Sequence, residues 1–355
     1  MTPADLSLTV LHAVRRAVDE GALRVDVPAR VKVERARPGG TGEYASSVAL
    51  GLARPAGLDA RDVAAILRER LQGSPGVRAV DITGPGFLNF TLDGDSGREL
   101  VREILRQGEA YGRRGPTGDV AQPVHRADVR AAVTADAVRR ILASQGTLVR
   151  VACEDAADPD WALLGARPEA EHARGRLTTD IVPLPVPFGA AELHRRFGRD
   201  AARWGLLSAA GHDHAPLGDE LLRQHEDNPL FRVRYAHSRA RALVRNAERL
   251  GFRPEPDEPA APAGSVDPSA SELLALLRDH PDVLASAARH RAPDRVARHL
   301  EAVADALLTY QHGVLPLGDE KPSAAHRARL ALAEAAGTVL AGGLSLLGIS
   351  APDQI

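Results

Sequence analysis

The stretch NPLFRVRYAHSRARALVRNAERL, residues 228–250, decides how the last part of the chain folds. Its Asn-Pro opening is a helix start signal, and neither Pro nor Gly interrupts the next twenty or so residues. Leu230, Val233 and Ala240 recur at helical spacing, so one long helix with a single apolar face is predicted. Its other faces carry arginines that are opposed within the helix by Glu248 alone, namely Arg232, Arg234, Arg239, Arg241, Arg245 and Arg249. Such an excess suits phosphate binding, although on charge alone a solvated surface helix is the favoured alternative.

Composition indicates a globular chain with a nearly neutral balance of charge. Its 355 residues are 44% hydrophobic and 26% charged, with a net charge of −2. Any nucleic-acid surface must therefore be a local patch. The sequence has neither a long apolar run nor a secretory signal, so a cytoplasmic protein without a membrane association is expected. The single cysteine, Cys153, excludes an intrachain disulfide framework and a cysteine-based zinc site.

The first segment, to about residue 113, alternates helical and strand patterns. Gly84-Pro85-Gly86 joins two predicted strands, and Asp59 is a predicted helix cap. Two helices packed on a small antiparallel sheet would form an α+β domain. Helices are predicted over 4–20, 44–53, 59–71 and 96–111, an extended segment over 25–33, and strands over 77–82 and 87–92.

The remainder is predicted to be mainly helical. One helix at 126–145 and one strand at 147–152 precede a proline-broken run at 181–188, which leaves too few strong strands for a complete nucleotide-binding sheet. The later helices favour an all-α bundle, interrupted by an exposed loop at 254–270. Besides 228–250, these helices are predicted over 190–197, 200–208, 271–284, 293–310 and 324–347.

Several separated blocks resemble arginyl-tRNA synthetase. NPLFRVRYAHSRAR, GRDAARWGLLS and LAGGLSLLGISAPDQI resemble its C-terminal helical domain, which binds the tRNA anticodon. GEYASSVALGLARPAG and GPGFLNFTL resemble its additional N-terminal domain, which contacts the tRNA elbow. The resemblance implies a multidomain α+β chain: a small N-terminal α/β domain at 1–113, a shortened remnant of a class I synthetase nucleotide-binding fold at 114–198, and an all-α anticodon-binding bundle at 199–355.

The middle segment departs from the family. HRADVRAAVTADAVRRIL, residues 125–142, resembles the signature helix whose His-x-Gly-His motif binds ATP. His125 stands at the first histidine, but Ala127 replaces the glycine and Asp128 the second histidine. A methyl group at Ala127 would crowd the adenine, and Asp128 would place a negative charge beside the phosphates. We therefore expect a degenerate signature without catalytic residues.

The family's lysine loop is also missing from its expected place. No lysine lies between Lys32 and Lys321, and residues 173–186 read ARGRLTTDIVPLPV, where Arg174 or Arg176 could supply charge. The hypothesis is a pseudoenzyme that binds tRNA, with arginine tRNA as one possibility, and uses no cofactor. The alternatives are a shortened arginine-tRNA ligase that requires ATP, an enzyme that uses arginyl-tRNA, and a protein–protein interaction module. DNA is not an expected partner.

Candidate RNA-binding residues fall in two places. Phe87 and Asn89 share one face of a predicted strand where the family contacts the D-loop, and an aromatic ring with an amide can stack on and read an unpaired base. Phe90 is as readily a core residue. On the basic helix, the resemblance places Tyr235 and His237 near the anticodon stem-loop, with helix packing as the alternative. Arginine makes bidentate phosphate contacts, which favours three further candidates: Arg232, Arg239 and Arg245.

Two other groups have simpler interpretations. His212-Asp213-His214 is expected to be a surface turn, because no third metal ligand stands at a suitable spacing. Cys153 lies beside Glu154 and Asp155, which would raise the pKa of its thiol, so a core cysteine is favoured over a nucleophile. No metal site is expected.

Overall fold

A computed structural model describes residues 3–36, 42–92, 94–173, 177–257 and 267–355. The chain forms two compact units, Met1–Leu100 and Val101–Ile355. The predicted boundaries near residues 113 and 198 remain predictions.

The first unit is an antiparallel sheet covered by helices. Among the described residues the sheet has the strand order β1-β2-β4-β3. In its register Phe90 lies opposite both Tyr44 and Val80. The last helix, α4, continues past the boundary of the unit. The elements are α1 Pro3–Asp19, β1 Glu34–Arg35, β2 Tyr44–Ser46, α2 Val48–Ala56, α3 Ala60–Leu71, β3 Val77–Thr83, β4 Phe87–Leu92 and α4 Gly94–Gln107.

The core of this unit lies between the helices and one face of the sheet. Leu6, Val10 and Val14 recur along one stripe of α1 and are fully buried. Leu67 of α3 and Phe90 of β4 are also fully buried in the same cluster. Side chains three and four positions apart share one side of a helix, so this spacing turns each helix into a one-sided cover for the sheet.

Two predictions for this unit are wrong. Residues 44–46 form strand β2 and pair with β4, and helix α2 begins only at Val48. Tertiary pairing with Phe90 overrides the local helical pattern here. Residues 25–33 contain no strand, and the sheet begins at Glu34–Arg35. Gly39 and Gly40, an adjacent pair of glycines that predicts a turn, lie outside the described residues.

The second unit begins with two short pairs of parallel strands. The strands are β5 Val120–Ala121, β6 Val124–His125, β7 Leu148–Val149 and β8 Ala152–Cys153. β5 pairs with β7 and β6 with β8, and α5 Val129–Ser144 supplies the crossover that a parallel connection requires. A 3₁₀ segment, Pro159–Leu164, comes next. Each strand has two residues, so these pairs do not identify a nucleotide-binding sheet.

The rest of the second unit is a helical bundle, as predicted. α6 is interrupted at Gly198, whose φ of 73° is non-helical, at the point that separates the two predicted helices. α8 extends beyond the predicted range 271–284 at both ends, and Pro281 lies within it. Within the described ranges, no helix is both long and apolar enough to cross a membrane. The helices are α6 Ala190–Leu207, α7 Pro229–Arg249, α8 Pro268–His290, α9 Asp294–Tyr310 and α10 Ala324–Leu346.

Helix α7 lies against α9 and α10 in this bundle. Gly337 of α10 permits the closest approach, because a Cβ added there would lie 2.7 Å from the Cβ of Ala240. The glycine therefore fixes which face of α7 is buried and, with it, which faces carry the arginines outward. The chain has a mixed α/β fold whose C-terminal part is helical.

Candidate nucleic-acid interface

The start of α7 is held by a buried cap. The Asn228 side chain accepts hydrogen bonds from the backbone N–H groups of Leu230 and Phe231, and its Nδ2 donates to the carbonyls of Leu221 and Arg223. Pro229 occupies the first turn, where its missing N–H costs nothing. The cap fixes the position of the first turn and therefore of the side chains that project from it.

The buried face of α7 follows the predicted spacing with one change. Leu243 is buried, while Val244 is only half-buried. The buried residues are Leu230, Val233, Ala236, His237, Ala240, Leu243 and Ala247.

The first two arginines of α7 are engaged with carboxylates. Arg232 Nε lies 2.7 Å from Asp305 Oδ1, and its Nη1 donates to the Glu226 carbonyl at 2.8 Å. Arg234 Nη1 lies 3.8 Å from Asp200 Oδ2. These side chains connect α7 to α6 and α9, and the carboxylates reduce the local positive charge.

The positive charge of the arginines in the second half of α7 is offset less by neighbouring carboxylates. Arg239 Nε donates to the neutral amide oxygen of Gln311 at 2.9 Å. Arg245 Nη2 donates to the backbone carbonyl of Asp353 at 3.3 Å. The Asp353 carboxylate is nearer to Arg241, whose Nε lies 3.1 Å from its Oδ1. The predicted candidates Arg239 and Arg245 are therefore positioned mainly by neutral oxygen atoms.

An aromatic pair lies on the same helix. The rings of Phe231 and Tyr235 stack with centroids 5.7 Å apart and an angle of 14° between their planes. Tyr235 is 37% exposed, so its ring is open to solvent. Phe231 also lines a cleft of about 510 Å³, together with Arg199, Asp200, Arg223, Arg234 and Ile355. An aromatic surface beside guanidinium groups offers stacking and phosphate contacts to an unpaired base.

His237 lies inside the bundle. It is 4% exposed, and its Nδ1 lies 3.0 Å from the Gly337 carbonyl. Its Nε2 lies 3.6 Å from Asp353 Oδ1. This histidine therefore packs between α7, α10 and the C-terminal segment, as the packing alternative expects.

The two candidates on β4 occupy different environments. Phe87 is 37% exposed, whereas Asn89 is 5% exposed. Asn89 Nδ2 donates to Thr83 Oγ1 at 2.7 Å, within the β3–β4 hairpin. The two side chains therefore differ in exposure, and Phe87 is the one that is open to solvent. Phe90 is fully buried and belongs to the core.

The signature-like segment is closed by its own side chains. His125 is 1% exposed, its Nδ1 donates to the Arg126 carbonyl at 2.8 Å, and its ring meets Trp161 edge-on at 5.6 Å. Burial lowers the pKa of His125 and favours the neutral ring. The backbone N–H of Ala127 donates to Glu154 Oε1 at 3.2 Å.

Asp128 caps α5. Its Oδ1 accepts a hydrogen bond from the Ala131 N–H at 2.9 Å. Burial raises the pKa of this carboxyl, although the cap bond and nearby Arg126 oppose the shift. The positive end of the α5 dipole therefore already faces an acidic group of the chain. Arg174 and Arg176 lie outside the described residues.

The remaining sequence candidates are structural in character. Cys153 is fully buried, and burial raises the pKa of its thiol. His212 and His214 are exposed, and His212 Nε2 lies 3.8 Å from Asp213 Oδ1. In the part of the chain that the structure describes, no group of three His, Cys, Asp or Glu side chains could hold a metal ion.

Sequence reasoning missed the groups that organise these surfaces. Asp353 lies beyond the last helix and contacts several α7 side chains, and Glu154 and Trp161 close the signature segment. The block LAGGLSLLGISAPDQI contains Asp353, but nothing in its spacing signals a contact with Arg241, which lies 112 residues earlier.

The C-terminal helices of the second unit resemble an anticodon-binding domain. The family model described as "DALR anticodon binding domain" matches residues 233–355, and the one described as "Arginyl tRNA synthetase N terminal domain" matches residues 8–92. The chain is thus similar to arginyl-tRNA synthetases at its N-terminal end and to their anticodon-binding domain at its C-terminal end.

The relatives are arginine-tRNA ligases. The enzyme of Frankia alni is 29% identical over 557 aligned positions, with 100% of both chains covered, and that of Renibacterium salmoninarum is 28% identical over 553 positions with the same coverage. Among solved structures, Thermus thermophilus arginyl-tRNA synthetase has a TM-score of 0.69 at 16% identity, covering 100% of both chains. The Plasmodium falciparum enzyme has a TM-score of 0.71 at 9% identity, covering 99% of each.

The alignment with the Frankia enzyme also reveals a difference in length. The alignment has 557 positions, whereas this chain has 355 residues, so at least 202 positions of the alignment are gaps in this chain. Both chains are covered throughout, so these gaps are internal.

Proposed function

We propose that this chain binds tRNA and does not activate arginine. The carrying observation is the face of α7, where Arg239 and Arg245 are positioned by neutral oxygens and a stacked aromatic pair lies on the same helix. Phosphates supply the attraction that such cations need, and unpaired bases supply the partners for exposed rings. The anticodon-domain match at residues 233–355 supports tRNA as the RNA.

The proposed division of labour follows the family. The bundle at 199–355 would receive the anticodon stem-loop, with Tyr235 as a stacking surface and Arg239 and Arg245 on phosphates. The segment 1–113 would contact the elbow, with Phe87 as its exposed ring. Asn89 would hold the β3–β4 hairpin in shape, since its amide is already engaged with Thr83.

The closed signature segment supports the loss of amino-acid activation. A phosphate at the N-terminus of α5 would meet the Asp128 carboxylate, and the backbone N–H of Ala127 already binds Glu154. His125 would have to leave its contact with Trp161 before it could reach a substrate. The internal gaps against the ligases support the proposal that this chain lacks much of a catalytic domain, of which residues 114–198 would be the remnant.

The second candidate is a shortened arginine-tRNA ligase. Its support is that the curated relatives, at 26–29% identity, are ligases. ATP–pyrophosphate exchange separates the two candidates. Exchange that depends on arginine would establish the ligase, whereas tRNA binding without exchange would support the proposal.

Filter binding tests the main proposal directly. The purified protein is titrated against bulk tRNA and against duplex DNA of equal charge at about 0.15 M salt. We expect a clear preference for tRNA. Equal binding to both would overturn the proposal, since charge alone would then explain the affinity.

A double charge reversal places the RNA on α7. Arg239→Glu/Arg245→Glu should weaken binding and flatten its dependence on salt, because each lost phosphate contact removes about 0.7–0.9 from the slope of log Kd against log salt. Arg253→Glu/Arg327→Glu is the matched control, because it changes the net charge equally and Arg327 is already paired with Glu255. Equal losses in both variants would place the RNA elsewhere.

A further inference from the structure

A second groove lies where the α8–α9 turn meets the loops on either side of α6. Its volume is about 400 Å³, and residues 180–183 and 206–212 form one wall. The turn and the start of α9 form the other wall. The charged residues of its lining are Arg130, Asp180, Arg291, Asp294, Arg295 and Arg298.

Arg130 places a positive charge in the lining of this groove. It is 1% exposed, and its guanidinium donates only to backbone carbonyls, those of Leu184, Leu206, Ala209, Ala210 and Asp213. Carbonyl oxygens satisfy the N–H groups without cancelling the net charge. Among the described residues no carboxylate forms an ion pair with this buried cation, so it adds positive potential to the groove, although the carboxylates of Asp128, Asp213 and Asp294 offset part of it at longer range.

The α8–α9 turn adds further cations. Arg291 has a φ of 50°, an unusual conformation for a residue other than glycine, and its guanidinium pairs with Asp180. Arg298 pairs with Asp294 but keeps 65% of its side chain exposed. Arg295 is exposed and donates to Ser286 Oγ at 3.1 Å. The two carboxylates of the lining are thus each paired with one arginine, and within the described residues Arg130 and Arg295 make no ion pair.

One face of α9 runs from this groove to the side chain of Arg232 on α7. Arg298, Glu301 and Asp305 recur at positions that place them on one face of that helix. Arg232 of α7 contacts both acids, with Nη2 3.9 Å from Glu301 and Nε 2.7 Å from Asp305. Seven residues of helix separate Arg298 from Asp305, which is about 10 Å, or about three nucleotide steps of a helical strand.

We propose that this groove binds backbone phosphates of the same RNA that contacts α7, so that the interface continues along α9 to the α8–α9 turn. The inference rests on the proposed tRNA binding. Its chemistry is non-covalent: Arg295 and Arg298 meet phosphate oxygens at the rim, while Arg130 contributes through its field. Arg298 would keep its bond to the buried Asp294 carboxylate and meet the phosphate through the exposed part of its side chain.

The test compares tRNA binding by Arg295→Gln and by Arg295→Gln/Arg298→Gln over a range of salt concentrations. Arg295→Gln removes an exposed side chain that donates to the Ser286 hydroxyl, a surface contact, so folding should be preserved. Each lost contact should lower the salt slope by about 0.7–0.9 and raise Kd about four- to six-fold near 0.15 M salt. Arg327→Gln, which removes a paired arginine of α10, should change neither quantity.

The outcomes separate this inference from the function on which it rests. If α7 reversal weakens binding while the groove variants keep the wild-type slope and affinity, the groove proposal is overturned and tRNA binding stands. If the wild-type protein does not prefer tRNA, the proposed function itself fails. Protection against thermal unfolding by inorganic pyrophosphate, with an unchanged RNA slope in the variants, would assign the groove to a small anion and overturn the RNA assignment.

Discussion

The most demanding structural prediction concerns the buried ion pair between Asp136 and Arg203. Arg203 is fully buried, and its Nη2 donates to Asp136 Oδ2 at 2.8 Å. Its other nitrogens donate to the carbonyls of Leu164 and Leu347. One side chain thereby joins α5, the 3₁₀ segment and the end of α10. Gly348 is required beside it, because a Cβ there would lie 2.5 Å from the guanidinium.

Asp136→Asn removes the charge at nearly constant volume. The variant leaves the Arg203 cation buried without its carboxylate, and breaking a buried pair from one side costs about 3–5 kcal/mol. For a unit of this size, about 2–4 °C of melting temperature corresponds to each kcal/mol, so a loss of roughly 6–20 °C is expected. The matched control is Asp219→Asn, whose partner Arg196 lies 2.7 Å away at the surface, and it should cost less than about 1 kcal/mol.

The pH profile gives a second measure of the same pair. Burial opposes ionisation of Asp136, but Arg203, Arg139 and Arg140 together hold the pKa of its carboxyl below the ordinary 3.8. A lowered pKa in the folded state contributes stability that is present above the unfolded value and is lost as pH falls through the folded one. Asp136→Asn should therefore flatten the loss of stability below about pH 4. Urea unfolding at pH 7 and pH 3 measures both effects, and a loss at pH 7 no larger than that of Asp219→Asn would refute the reasoning.

Three further predictions test other parts of the second unit. Asn228→Ala should destabilise α7 by about 1–2 kcal/mol in urea unfolding, because it removes the cap, and a loss below a few tenths would contradict that role. Burial lowers the pKa of His280, so acidification from pH 6.5 to 5 should lower the free energy of unfolding by up to about 1.4 kcal/mol per pH unit. His280→Leu should reduce this dependence of stability on pH, and an unchanged dependence would exclude His280 as its source. Cys153 should react with a thiol reagent only on unfolding, since its thiol is buried and its pKa is raised; rapid reaction of the native protein would show an open site.

A helix could be predicted from the sequence where the residues that start it lie next to it in the chain. Asn228 and Pro229 mark the start of α7, and the structure places the cap and first turn there. Tyr44 gave the wrong prediction because its environment is set by Phe90, which lies far along the chain and cannot be read from a short window. The parallel pairing of β5 and β7 was equally out of reach, because two-residue strands have no periodicity to detect.

The sequence predicted which residue types form the candidate site, but not which groups their side chains contact. The sequence identified the arginines of α7, but the charge that each presents depends on the groups its guanidinium contacts. The neutral amide of Gln311 does not offset the charge of Arg239, whereas the Asp305 carboxylate offsets that of Arg232. On β4, alternation predicted a common face for Phe87 and Asn89, but it could not predict that the asparagine is buried with its amide bonded to Thr83. Contacts between distant residues decided each of these cases.

Asp128 links the proposed loss of arginine activation to the stability of α5. A histidine there could donate to a phosphate, whereas aspartate accepts from the Ala131 N–H and caps α5, a bond worth about 1 kcal/mol. Glu154 similarly binds the backbone N–H of Ala127, and Trp161 packs against His125. Each of these contacts stabilises the short segment while occupying a group that nucleotide binding would need. Restoring the histidine alone would therefore cost stability and leave the other two contacts in place, so the proposed loss of activation rests on the whole closed segment and not on the motif.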